Sequence, residues 1–165
     1  SSRIGLKTFD EINESMSRMT GVATTNPAVF ATYTTVKQQL PTVETIQGFL
    51  SSHQMAVTQM AIQYCDTLVS NTGLRQEMFP GFDFAAPASS AFDASGKSLI
   101  TGPLLSRFVG SNLASQPSDS EIQTELGKLM DKLTLCGAGC EPDRTETVVK
   151  ASCAAVLGSA TTLVQ

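Results

Sequence analysis

Phe9, Ile12, Met16 and Met19 recur at i, i+3, i+7 and i+10, and Thr8 with Glu11 forms a capping box ahead of them. This is one face of a helix running from about Phe9 to Met19. Asn26 before Pro27 is an N-cap with proline in the first turn, and Val29, Tyr33, Val36 and Leu40 form the stripe of a second helix that Pro41 stops. Val43, Ile46 and Leu50 then open a third pattern, which either continues or kinks near Ser51. In the stretch beyond, Val57, Met60, Ala61, Tyr64 and Leu68 share a face flanked by Met55, Ile62, Cys65 and Val69. So wide an apolar arc belongs in the middle of a bundle.

From Asn71 to Ser98 the pattern changes: Gly, Pro, Ser and Ala interleave with Phe79, Phe82, Phe84 and Phe92 without a period of two or 3.6. We expect a short helical turn at Leu74 to Met78, then a long irregular Phe-rich loop held to the body by its aromatic rings. Leu99, Ile100, Leu104, Leu105 and Phe108 predict a helix interrupted or initiated at Gly102-Pro103 and ending at Gly110. Ser118 with Glu121 is a second capping box, followed by Ile122, Leu126, Leu129, Leu133 and Cys136 on one face. The glycines of "CGAGC" end that helix. A last helix spans about Asp143 to Val164, with Val149, Cys153, Val156, Leu157, Ala160 and Leu163 inward. Strand signals are nearly absent, so the expected fold is an all-α, single-domain bundle of six to eight helices covering 1–165.

At 165 residues the chain is long enough to bury one sizeable core. Hydrophobic residues make up 41% and charged residues only 16%, below the roughly 25% of an average soluble domain. Eleven Lys+Arg against 15 Asp+Glu give a net charge of -4, and no basic run exceeds a dipeptide. Nucleic acid and anionic membrane surfaces both call for clustered cations, so neither is an expected partner. No apolar run reaches the roughly 18 residues of a membrane span, and the opening "SSRIGLKTFDEI" has no apolar signal core. Ser1 reads as a cleavage product, which leads us to expect a mature chain or a piece of a longer one.

The four cysteines are Cys65, Cys136, Cys140 and Cys153, an even number that suits an oxidising compartment, the periplasm or the cell exterior. Cys140 is followed by Glu141 after a three-residue gap, which does not match c-type haem attachment, and Cys65, Cys153 and His53 are not paired in sequence as structural zinc ligands usually are. A redox pair opens a helix, where the dipole favours thiolate, whereas Cys136 and Cys140 follow a helix C-terminus. We read staples instead. Of three possible connectivities we favour Cys136 with Cys140 and Cys65 with Cys153, the longer loop contributing about 4 kcal/mol in the chain-entropy model.

His53 is the sole histidine, so any general base or imidazole metal site must use it. We expect it in a first helical turn at the solvent edge. An alternative reading, an electron-transfer or metal-binding protein that holds haem or copper through His53 with Met or Cys ligands, Met55 and Met60 among them and Met16 and Met19 in reach of a copper site, competes with the plainer view of methionine as core filler. Asp10, Glu11, Glu14, Asp119 and Glu121 lie in first turns, where they complement the helix dipole. "FDASGKS" around Asp93 superficially resembles a phosphate loop but lacks the first glycine at the right distance, and no nucleophile-elbow, Walker or dinucleotide motif occurs. We expect no enzymatic activity and no cofactor.

The stretches "LKTFDEINESMSRMTGV", "ATYTTVKQQLPTVETIQGFLSSHQMAVTQMAIQYCDTLV" and "DRTETVVKASCAAVLGSATTLVQ" together resemble the C-terminal helical region of large secreted or surface proteins of bacteria that also carry laminin-G-like, concanavalin-like modules. The resemblance spans nearly the whole chain and carries no catalytic motif. It implies export and attachment to a larger architecture: a structural or interaction module of a surface assembly or filament, with protein partners or self-association.

Overall fold

The computed structural model describes residues 8–40, 46–109 and 118–162. Eight α-helices follow one another in them: α1 (Phe9–Thr20), α2 (Pro27–Gln39), α3 (Ile46–Ser70), α4 (Thr72–Met78), α5 (Ala88–Ala91), α6 (Ala94–Phe108), α7 (Asp119–Leu133) and α8 (Arg144–Thr162), with a 3-10 turn at Gly137–Gly139. The chain is an all-α bundle, with no strand among the described residues.

Capping side chains set most starts. The Thr8 hydroxyl accepts from the Glu11 N–H at 3.2 Å, Asn26 Oδ1 from Ala28 and Val29, Asn71 Oδ1 from Leu74 and the Ser118 hydroxyl from Glu121. Each satisfies a backbone donor that has no partner within the helix. At the far end of α1, Gly21 takes φ +76° and returns its N–H to the Ser17 carbonyl, a left-handed C-cap that a side chain would strain.

At the centre, α3 and α8 run antiparallel. Ala61 lies beside Gly158, Cys65 beside Cys153 and Asp66 beside Lys150. Val57, Met60, Tyr64, Cys65 and Leu68 of α3 and Val148, Val149, Cys153 and Leu157 of α8 are buried. Helices α1, α2 and α4 pack on α3, while α6 and α7 pack on α8 and on each other.

The Phe-rich segment is shorter and more ordered than expected. Only residues 79–87 are irregular before α5, and Phe79 and Phe92 are buried. Phe82 meets Phe84 edge-on at 4.8 Å and Phe92 at 5.5 Å. The Arg75 guanidinium covers Phe84 at 4.6 Å and bonds Glu146 of α8 at 2.8 Å, and the Thr145 hydroxyl donates to the Ala86 carbonyl at 2.7 Å. Ring stacking and two polar ties thus hold the segment where helical periodicity is absent.

Other expectations need correction: in α1 only Asp10 and Glu11 lie in the first turn, with Glu14 in the second. Helix α6 begins at Ala94 and passes through Gly102-Pro103, because Asp93 caps it by accepting from the Gly96 N–H at 2.8 Å. Gly102 has no Cβ to meet the proline ring, so the residue before proline keeps helical geometry here. Helix α3 continues past Ser51 without a break, which puts His53 in its interior rather than in a first turn. Helix α7 stops at Leu133, so Cys136 lies beyond it and is exposed rather than on a buried stripe. The wide arc of α3 is also only partly covered, since Met55 is 64% and Ile62 54% exposed. Expectations about Ser1, Pro41, Val43, Gly110, Leu163 and Val164, and about the side chains of Ile46 and Leu50, lie outside the described residues.

Candidate functional site

The structure brings the sulfurs of Cys65 and Cys153 to bonding distance across α3 and α8, with Cα atoms 5.8 Å apart, and those of Cys136 and Cys140 across the 3-10 turn, with Cα atoms 4.9 Å apart. Both separations suit a disulfide. The first pair is wholly enclosed, both residues having 0% exposure. Cys136, by contrast, is exposed and Cys140 half-buried. No cysteine among the described residues is free, so none offers a thiolate to a soft metal or to nucleophilic chemistry.

His53 is half-buried on α3, and burial holds its pKa below the usual 6.5, which favours neutral imidazole. Met60 and Met16 are fully buried in the core and Met19 is partly buried against it, whereas Met55 points outward. Of the residues in the alternative metal reading, Met16 and Met60 thus belong to the apolar core, whereas Met55 faces outward and His53 is half-buried. Among the described residues, no group of three His, Cys, Asp or Glu side chains could hold a metal ion.

Two polar clusters escaped sequence reasoning. Beneath α1, the Tyr64 hydroxyl donates to Asn13 Oδ1 at 2.6 Å, also lies 3.0 Å from the Asn13 carbonyl oxygen, and is pushed above the usual phenol range by burial. At the surface, Asp10 accepts from the Tyr33 hydroxyl and from Lys37 Nζ at 3.0 Å, and these bonds, Tyr33 first, hold its carboxyl below 3.8. Phe9 stacks on Tyr33 at 5.3 Å beside them. Both clusters clamp α1 to its neighbours, and none of their residues lines the two hollows beside α8.

The concave surface lies elsewhere. A groove of about 580 Å³ runs between α7 and α8, floored by Leu126 and Val156 and walled by Ile122, Leu129 and Ala160, with Glu121 and Glu125 on the α7 rim. Its size falls among those of ligand-binding clefts. On the other flank of α8 a second trough of about 450 Å³ lies between Val57 and Ile62 of α3 and Ala154 and Gly158. Ala155 and Ser159 line both, so the outer face of α8 is a low ridge between two hollows. The signal was present in the α7 stripe: Ile122, Leu129 and Leu133 lie where core residues belong, yet only Leu126 and Met130 of α7 are buried. Periodicity identifies an apolar face but not what covers it.

This arrangement holds no triad, metal cluster or phosphate cradle among the described residues. Its chemistry is apolar contact edged by carboxylates. Comparisons with protein-family models, with curated proteins and with solved structures returned no match.

Proposed function

We propose that the chain is a non-enzymatic module that works outside the cytoplasm as an interaction subunit of a cell-surface or filamentous multiprotein assembly. The outer face of α8 carries this reading: a ridge of small side chains between two apolar troughs, left uncovered by the described residues. Small residues let a second helix approach closely, and its side chains drop into the hollows on either side. The occupant is an amphipathic helix of a protein partner, with a Lys or Arg placed against Glu121 and Glu125.

Three further observations support the reading. Two cysteine pairs at bonding distance suit an oxidising compartment. No helix among the described residues is long and apolar enough to cross a membrane. The resemblance to secreted bacterial surface proteins points the same way.

A photo-crosslinking amino acid at Ala155 tests the proposal in the producing cells, with exposed Ser98 on α6 as control. A discrete adduct with one protein at Ala155 and none at Ser98 is expected. Equal or absent adducts at the two positions would overturn it, as would a purified sample carrying stoichiometric metal or haem absorption.

A further inference from the structure

We propose that the Cys136–Cys140 bond is a thiol-exchange site open in the folded protein, which an external dithiol reduces while Cys65–Cys153 stays closed. The inference rests on the oxidised state that the proposed compartment supplies. Its first support is access. Exchange requires a thiolate to reach a sulfur along the S–S axis, and Cys136 is exposed on a turn whose only intervening residues are Gly137, Ala138 and Gly139. No bulky side chain stands within that ring. Cys65 and Cys153 lie at 0% exposure between the two central helices, so their bond is reached only when α3 and α8 part.

The second support is that the turn does not depend on its sulfurs. Arg144 Nη1 donates to the Leu133 carbonyl at 3.0 Å, the Gly137 N–H to Thr134 at 3.0 Å and the Arg144 N–H to Glu141 at 2.9 Å. The first bond bridges the end of α7 to the start of α8, and the other two close the turns that lead into and out of the ring. Reduction is therefore a local event that leaves the bundle standing.

In the step itself, one thiolate of the dithiol attacks Cys136 Sγ, forming a mixed disulfide and expelling Cys140 as a thiolate that takes a proton from water. The second thiol of the reductant, once deprotonated, attacks its own sulfur in the mixed disulfide and releases Cys136, which is protonated in turn. The reductant leaves as a cyclic disulfide, having given two electrons, and the protein keeps two thiols. A partner of this chemistry is a small dithiol or a thiol oxidoreductase carrying a C-x-x-C pair.

Brief treatment of the native chain with dithiothreitol, quenching with N-ethylmaleimide and peptide mapping provide the test. Label is expected on Cys136 and Cys140, with Cys65 and Cys153 reacting roughly a thousandfold more slowly, because they must await global opening. Circular dichroism should stay unchanged while amide exchange rises in 134–143. In the Cys140→Ser variant, Cys136 alone should take one glutathione from oxidised glutathione without loss of fold. Equal rates at both pairs, earlier labelling of Cys65 and Cys153, or no labelling short of denaturation would each overturn the proposal and leave the docking reading intact. Four free thiols before any reductant would overturn both this site and the extracytoplasmic assignment.

Discussion

Tyr64 shows how much one side chain carries in this core. Its ring is fully buried and its hydroxyl lies against both oxygens of Asn13, itself buried on α1. Tyr64→Phe keeps the ring but leaves the Asn13 oxygens without that donor, which should cost about 1–3 kcal/mol in urea denaturation. Because burial raises the Tyr64 pKa, the unfolded chain loses this proton first as pH climbs past 10, and stability falls there. The variant should show a flatter alkaline limb. His53 works in the opposite direction. Its pKa is lowered below 6.5 by burial, so the unfolded state binds the proton first and stability declines as pH falls through 6.5. His53→Gln should remove part of the drop in urea midpoint between about pH 7.5 and about pH 5, a range in which histidine is the side chain that titrates from its ordinary value. Neither role was legible in the sequence, since a tyrosine on an apolar stripe and a lone histidine carry no mark of what faces them.

Among the elements, α1, α2 and α7 were readable from their caps and stripes, because Thr8, Asn26 and Ser118 each precede a regular apolar period and each side chain accepts a first-turn N–H. Helix α6 was readable only in its second half. Its first turns consist of Ala, Ser, Gly and Lys, which carry no period, and what marks its start is the Asp93 side chain accepting from the Gly96 N–H. Gly96 has a further reason to be glycine: a Cβ there would stand 1.8 Å from the Ala91 carbonyl oxygen. Gly96→Ala should therefore force α5 and α6 apart and lower stability by about 1–3 kcal/mol or more. Gly127→Ala on α7 is the control, since nothing lies within 4 Å of its added Cβ. It should be neutral or stabilise by up to about 1 kcal/mol through helix propensity. A thermal melt of the two variants decides the matter.

For the whole molecule, the two sulfur pairs differ in what they constrain. In the chain-entropy model the bond across the separation of 88 contributes about 4–5 kcal/mol, and the one across a separation of 4 contributes about 2 kcal/mol. Cys65→Ala with Cys153→Ala should shift the denaturant midpoint about twice as far as Cys136→Ser with Cys140→Ser. The all-α architecture followed from helical periods and near-absent strand signals. The grooves beside α8 did not, because they arise where α7 and α3 stop short of covering it, a property of how elements are arranged that no single segment encodes.

The tie between α3 and α8 also decides how the protein would stretch. Tension applied at the two chain ends passes from α3 through sulfur into α8 and bypasses everything between Cys65 and Cys153. At about 3.4 Å per residue that shortcut withholds roughly 300 Å of contour from extension. Built this way, the chain yields only about half of its contour under load, and α4 to α7 stay slack inside the loop while the strain runs past them.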